Sequence, residues 1–91
     1  MIQVSEKAKI ELRRMLAEKV DNPLAGIRLV RGTAPGFYGL AVDIEMPGDQ
    51  VVMHNGYKVL LADKELSEHL DGATIDVQET EEGKGLVVIE K

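Results

Sequence analysis

The stretch from Tyr38 to Met46 constrains the fold most, because apolar residues occupy every second position in it. The alternating apolar residues are Tyr38, Leu40, Val42, Ile44 and Met46, separated by Gly39, Ala41, Asp43 and Glu45. Successive side chains of a strand point to opposite faces of a sheet, so this alternation predicts a strand with one buried face. Its other face begins with small residues and ends with acidic ones.

A second strand signal is the Asn55-Gly56 pair, which predicts a hairpin between residues 50–54 and 57–62. A type I′ turn needs positive φ at both central residues, and Asn-Gly meets that need. A two-residue loop also sets the register of the two strands. The predicted pairs are His54 with Tyr57, Val52 with Val59, and Val51 with Leu60.

Two helices are predicted from capping residues and apolar spacing. The first runs from Glu6 to about Lys19 after the capping residue Ser5, and the second runs from the capping residue Asp63 through Leu70. The first is amphipathic, and its apolar stripe consists of Ala8, Leu12, Met15, Leu16 and Val20.

Further strands are predicted at residues 2–4, 27–31, 73–80 and 86–89. The last is a continuous apolar run, Leu86 to Ile89, which indicates a central strand buried on both faces. Groups of strands with helices inserted between them are typical of α+β folds. The sequence therefore predicts one α+β, mainly β, domain over residues 1–91, with antiparallel and mixed strands.

Composition excludes several functions. Eleven basic and sixteen acidic residues give a net charge of −5, which argues against nucleic acid and anionic membranes as partners. No apolar run approaches the ~20 residues of a membrane-spanning helix, and the N-terminus does not resemble a signal peptide. The chain has no cysteine, so thiolate metal sites, disulfides and cysteine nucleophiles are excluded. We expect a cytoplasmic protein.

Few side chains qualify as candidate ligands. Arg28 and Arg31 flank a loop rich in glycine and proline, where they either bind an anion or face solvent. Asp43 and Glu45 share a strand face and are either oxygen ligands for a hard cation or part of a solvated face. His54, beside Tyr57, is either a packing residue or a metal ligand. His69, near the end of the second helix, is interpreted as a surface residue.

No pattern indicates an enzyme. The sequence has no nucleophile–base pair, no phosphate-binding loop with its lysine, and no carboxylate pair at a useful spacing. We therefore expect no catalytic residue.

Three segments carry a resemblance to a known family: Ile2 to Leu12, Ile27-Arg28-Leu29 before the glycine-rich loop, and Leu70-Asp71-Gly72-Ala73-Thr74-Ile75-Asp76. They resemble the HesB-like family, the A-type iron–sulfur cluster assembly and carrier proteins. The resemblance covers residues 1 to 89. It implies a compact HesB-like fold, a relation to iron–sulfur biogenesis, and a possible homodimer.

The chain departs from this family at the cluster ligands. The family has one cysteine in a Gly-Cys-Ser-Gly-type loop and a Cys-x-Cys pair in a C-terminal tail. Here the loop reads Thr33-Ala34-Pro35-Gly36, with Ala34 in the place of the thiol, and we expect no equivalent of the tail beyond Lys91. We expect no cofactor, no cofactor-binding residue and no metal-binding residue.

Two functions remain after these exclusions. The first is a non-catalytic protein-binding or accessory module, whose partner is an iron–sulfur assembly factor or an apo-target. Its candidate partner-binding loop is Thr33, Ala34, Pro35, Gly36 and Phe37. The alternative is a carrier of iron or another metal through oxygen and nitrogen ligands drawn from Tyr38, Asp43, Glu45, His54 and His69.

Overall fold

A computed structural model describes residues 1–19, 22, 24–33, 38–81 and 83–90 of the chain. These residues form seven strands and two helices. The strands are β1 (Gln3–Val4), β2 (Ala25–Arg31), β3 (Tyr38–Ile44), β4 (Gln50–His54), β5 (Tyr57–Ala62), β6 (Thr74–Thr80) and β7 (Gly83–Ile89). The helices are α1 (Glu6–Lys19) and α2 (Lys64–His69). The predicted α+β, mainly β, class is confirmed.

The strands form two sheets. One has the order β1-β6-β7, with β1 parallel and β7 antiparallel to β6. The other has the order β3-β2-β5-β4, in which β2 and β5 are parallel and the outer pairs are antiparallel. Helix α1 contacts strands of both sheets, so all three share one aliphatic core. Its largest fully buried side chains are Leu12, Ile27, Val59, Leu60, Leu61, Leu70 and Ile75.

Both predicted helix caps are confirmed. Ser5 Oγ accepts a hydrogen bond from the backbone N–H of Ala8 at 3.1 Å. The same hydroxyl donates to Asp76 Oδ1 at 2.7 Å, which ties the start of α1 to β6. Asp63 Oδ1 accepts from the backbone N–H of Leu66 at 2.7 Å, which caps α2.

The predicted hairpin is confirmed, but its register is only partly right. Asn55 and Gly56 have φ of +49° and +85°, as a type I′ turn requires, and His54 lies opposite Tyr57. A bulge between Val52 and Met53 then shifts the pairing by one residue, so that Val52 lies opposite Leu60 and Val51 opposite Leu61. The extra residue, Val59, is on β5, where a bulge bends the strand locally. Residues 59–62 of β5 are all buried.

The predicted buried face of β3 is wrong. Val42 pairs with Ile27 and Leu40 pairs with Leu29, and both partners in β2 are buried in the core. The apolar side chains of β3 therefore lie on the face of the sheet that is turned towards the core. However, β3 is an edge strand with a neighbour on one side only. Leu40, Val42, Ile44 and Met46 retain exposed fractions of 38, 44, 51 and 51%.

The prediction for the last strand is also wrong. β7 lies at the edge of its sheet, paired only with β6, instead of at the centre. Its residues 86–88 are half-buried and Ile89 is exposed. A short apolar run cannot distinguish a central strand from an edge strand that is partly covered from another layer.

Candidate protein-binding surface

The predicted partner-binding loop connects two paired strand ends. Arg31, at the end of β2, lies opposite Tyr38, at the start of β3. Within the loop Thr33 is exposed. The other four predicted loop residues, 34–37, lie outside the described residues.

An apolar cleft opens between the two sheets next to Tyr38. We call it the inter-sheet cleft, and its volume is about 300 Å³. Its lining residues are Leu29, Tyr38, Gly39, Leu40, Leu60, Ile75, Leu86 and Val88. Among the described lining residues, Tyr38 alone has a titratable side chain, so the lining that they form suits an apolar group.

Glu90 approaches the cleft at Tyr38. Tyr38 Oη lies 3.5 Å from Glu90 Oε1, which brings the start of β3 close to the end of β7. The sequence did not single out Leu86, Val88 or Glu90 as site residues. The only sequence signal for Leu86 and Val88 was the apolar run from Leu86 to Ile89, which suggested burial instead of a partly open surface.

A strip of exposed apolar side chains continues from the cleft along β3. We call it the β3 strip and define it as Leu40, Val42, Ile44 and Met46. Leu40 belongs to both features. Contiguous exposed apolar side chains on a small protein mark interaction surfaces. The cleft and the strip together form the candidate protein-binding surface.

Arg28 does not face solvent, because its side chain is only 13% exposed and is held by carboxylates. Its Nε donates to Asp43 Oδ2 at 2.7 Å, and its Nη1 and Nη2 donate to Asp49 at 3.0 and 2.6 Å. The hydrogen bond with Asp49 is the main cause that raises the pKa of Arg28 and lowers the pKa of Asp49. Arg31 remains exposed, 3.9 Å from Glu65.

Asp43 and Glu45, the two carboxylates considered as cation ligands, are each paired with a basic side chain. The pKa of Asp43 is lowered first by the hydrogen bond from the backbone N–H of Ile44 and then by Arg28. Glu45 Oε1 lies 3.2 Å from Lys58 Nζ. Both carboxylates therefore belong to ion pairs that link β3 to its own sheet.

The remaining candidate metal ligands lie apart from these carboxylates. His54 Nδ1 is 3.5 Å from Glu6 Oε1 on α1, whereas His69 is exposed at the end of α2. Tyr38 is at the inter-sheet cleft. In the described part of the chain, no group of three or more His, Cys, Asp or Glu residues could hold a metal ion.

Three solved structures show the same fold. Escherichia coli SufA, described as involved in the biosynthesis of iron–sulfur clusters, has a TM-score of 0.69 at 22% identity, over 98% of this chain and 84% of that chain. IscA with its [2Fe–2S] cluster has a TM-score of 0.65 at 19% identity, covering 99% and 85%. A protein from Aquifex aeolicus has a TM-score of 0.64 at 28% identity, covering 99% and 91%.

Two sequence relatives are each described as an uncharacterized protein in the nifU 5′ region. The one from Cereibacter sphaeroides is 35% identical over 91 residues, covering 96% of this chain and 84% of the relative. The one from Rhodobacter capsulatus is 31% identical over 88 residues, covering 93% and 82%. No protein-family model matches the chain. The chain belongs to the HesB-like family.

This HesB-like chain does not offer the ligands that an iron–sulfur cluster takes. Clusters are held by cysteine thiolates, and none is present among the 91 residues. Among the described residues, every buried side-chain nitrogen or oxygen has a hydrogen-bond partner. None of these buried atoms therefore needs a ligand to satisfy it. Neither described helix is long and apolar enough to cross a bilayer.

Proposed function

We propose that this HesB-like protein is a non-catalytic accessory module of iron–sulfur cluster biogenesis, which acts in the cytoplasm and binds another protein. The observation that carries the proposal is a HesB-like fold built by a chain with no cysteine. The scaffold is present and the thiolate ligands are not. The partner is an iron–sulfur assembly factor or an apo-target.

The relation to cluster biogenesis rests on the neighbours of the chain. SufA is described as involved in the biosynthesis of iron–sulfur clusters, and IscA was solved with a [2Fe–2S] cluster. The two sequence relatives are named for their position in the nifU 5′ region. From these proteins we infer for this chain a role in the same pathway, but we do not infer that it ligates a cluster.

The inter-sheet cleft supports the protein-binding role. It is apolar, about 300 Å³ in volume, and open beside Tyr38. A cavity of this size accommodates one large apolar side chain of a partner. Glu90 at the mouth favours a basic residue next to that anchor, because opposite charges at the rim of an interface guide docking.

Anaerobic reconstitution tests the absence of cluster ligation. The purified protein is incubated with ferrous iron and sulfide, desalted, and analysed for both elements and for visible absorbance. We expect neither iron nor colour to stay with the protein. Iron and sulfide retained together would indicate a cluster, and iron retained alone would support the metal carrier; either result contradicts the proposal.

A matched pair of tyrosine variants tests the binding surface. The immobilised protein is used to capture proteins from its native extract, in parallel with Tyr38→Ala at the cleft and Tyr57→Ala at the hairpin. Tyr57 is a suitable control because it is exposed and lies at the tip of β5. We expect iron–sulfur assembly factors or apo-targets to be captured by the wild type and Tyr57→Ala and lost with Tyr38→Ala. Equal capture by all three, or capture without such proteins, contradicts the proposal.

A further inference from the structure

We propose that the outer edge of β7, beside the inter-sheet cleft, binds an extended segment of the partner protein, which adds to the sheet as an antiparallel strand. The segment carries a basic residue two positions before a large apolar residue, and the apolar side chain enters the cleft. This inference rests on the proposed protein-binding role, because it names the kind of partner segment that the surface takes.

The outer backbone groups of β7 can be identified from the pairing of β6. The carbonyl of Ile75 accepts the backbone N–H of Ser5 at 2.9 Å, so the backbone groups of Ile75 point towards β1. Val88 lies opposite Ile75 on the other side of β6. Because hydrogen-bonded and non-hydrogen-bonded pairs alternate in an antiparallel ladder, this pair is a non-hydrogen-bonded one. The N–H and C=O of Val88 therefore point away from β6, to the outer edge.

The pairing two residues further along β6 gives the same result for Leu86. The backbone N–H of Val77 is accepted by Asp76 Oδ1 at 2.8 Å, so this group is not directed at β7. Val77 lies opposite Leu86, whose N–H and C=O therefore also point to the outer edge. Among the described residues, no hydrogen bond reaches the outer backbone groups of Leu86 and Val88. Two such donor–acceptor pairs on one edge form a template for strand addition.

The proposed contact is confined to residues 86–90. β7 is in unbroken register with β6, so no bulge interrupts this edge. Its first three residues are Gly-Lys-Gly, and both residue types weaken pairing at a strand edge. The rest of the strand is apolar and contains no proline. A partner segment of about five residues covers this part.

The side chains beside these backbone groups face the cleft. Leu86 and Val88 line it, and the carboxylate of Glu90, two residues further, lies 3.5 Å from Tyr38 Oη. These three residues alternate along the chain and therefore share one face. An added strand points every second side chain to this same face. Its residue opposite Val88 enters the apolar cleft, and its residue opposite Glu90 meets a carboxylate.

These two positions define the chemistry of the segment. The cleft, about 300 Å³ in volume and lined mainly by aliphatic side chains, takes a large apolar side chain such as leucine. Glu90 is exposed and favours arginine or lysine, because opposite charges at the rim of an interface guide docking. In an antiparallel strand the residue opposite Glu90 comes first. The recognised pattern is therefore basic-x-apolar.

A fluorescently labelled peptide, Ser-Arg-Thr-Leu-Thr-Ala-Ser, tests this pattern on the purified protein. Its anisotropy is followed as protein is added, and we expect saturable binding with a Kd of roughly 10–100 µM. The control peptide, Ser-Leu-Thr-Arg-Thr-Ala-Ser, has the same composition with arginine and leucine exchanged, and it should bind at least about fivefold more weakly. Equal binding of the two peptides, or no binding of the first, overturns the proposal.

Two N-methylated forms of the first peptide test the strand pairing. A methyl group on the leucine nitrogen removes the N–H that is donated to the carbonyl of Val88, and we expect about tenfold weaker binding. A methyl group on the nitrogen of the following threonine removes an N–H that points away from β7, so binding should change by less than about twofold. A cleft that takes leucine without strand pairing tolerates both methyl groups equally, and that result overturns the proposal.

A matched pair of protein variants tests the same hydrogen bonds from the side of β7. Val88→Ala shortens the side chain and keeps the N–H, whereas Val88→Pro also removes the N–H. Proline is tolerated on an edge strand where its nitrogen faces outward, so both variants should keep the wild-type circular dichroism spectrum. We expect Val88→Pro to bind the first peptide about tenfold more weakly than Val88→Ala. Equal affinities overturn the proposal, and the N-methylated peptides give the same test on the unaltered protein.

The peptide experiments can fail without the proposed function failing. Capture from the native extract tests the protein-binding role with no assumption about how the partner binds. If the wild-type protein captures assembly factors or apo-targets but does not bind the peptide, strand addition at β7 is overturned and the accessory role stands. A second copy of the chain is the competing occupant of this edge. A protein that sediments as a dimer and does not bind the peptide also overturns the proposal.

Discussion

Arg28 in β2 holds the carboxylate of Asp49 through two hydrogen bonds, from Nη1 to Oδ1 at 3.0 Å and from Nη2 to Oδ2 at 2.6 Å. Asp49 Oδ2 also accepts the backbone N–H of Met46 at 2.7 Å. The side chain of Asp49 is only 2% exposed. This contact therefore fixes the turn that follows β3 against the neighbouring strand, and with it the end of the β3 strip.

Removing this contact should destabilise the fold. Arg28→Ala leaves the nearly buried carboxylate of Asp49 without its cation, and we expect a loss of about 2–3 kcal/mol in the free energy of unfolding. Urea denaturation followed by circular dichroism measures it. Glu18→Ala is the control, because Glu18 is in an exposed ion pair with Arg14 on α1. A midpoint that shifts as little for Arg28→Ala as for Glu18→Ala would show that the contact contributes no stability.

The same contact predicts a loss of stability in acid. Hydrogen bonding to Arg28 is the main cause that lowers the pKa of Asp49 below its ordinary value of 3.8. A lowered carboxyl pKa stabilises the folded state above the ordinary value, and this contribution is lost as the pH falls through the lowered pKa. We expect the urea concentration at the midpoint of unfolding to decrease once the pH is lowered below about 4. In Asp49→Asn this decrease should be less steep. Equal pH slopes for the two proteins would contradict this assignment.

Gly26 should not tolerate a side chain. A Cβ at this position would lie 2.7 Å from the backbone oxygen of Lys58 and 3.2 Å from Leu61 Cγ. We expect Gly26→Ala to cost about 1–3 kcal/mol, because a backbone atom of the adjacent strand must move. Gly85→Ala is the matched control, since a Cβ there meets nothing within 4 Å. Thermal unfolding of both variants distinguishes them, and equal midpoints would contradict the close approach of β2 and β5.

Ser5 should affect both helix stability and a carboxyl pKa. Ser5→Ala removes the cap of α1, for which we expect a cost of about 1 kcal/mol. It also removes the hydrogen bond that is the main cause lowering the pKa of Asp76. NMR titration of Asp76 should therefore show a higher pKa in Ser5→Ala, and Ser5→Thr should restore it. An unchanged Asp76 pKa in Ser5→Ala would contradict the observed contact.

Local chemistry made much of this fold predictable. Asn55-Gly56 forms the expected type I′ turn, and Ser5 and Asp63 cap their helices as expected. These features depend on a few adjacent residues, whose backbone preferences and hydrogen bonds do not need the rest of the molecule. The candidate site was less predictable, because the inter-sheet cleft joins residues from β2, β3, β5, β6 and β7.

The amino-acid sequence by itself determined the order of helices and strands, the apolar side of β2, β3 and β6, and the lack of any thiol ligand among the 91 residues. Tertiary structure alone decided that β3 and β7 lie at sheet edges, that a bulge shifts the hairpin, and that Arg28 pairs with Asp49. The reason is physical: alternation specifies which face of a strand is apolar, but burial of that face depends on which elements pack over it. The elements that pack over the apolar face of β3 cover only part of it, so the β3 strip stays exposed.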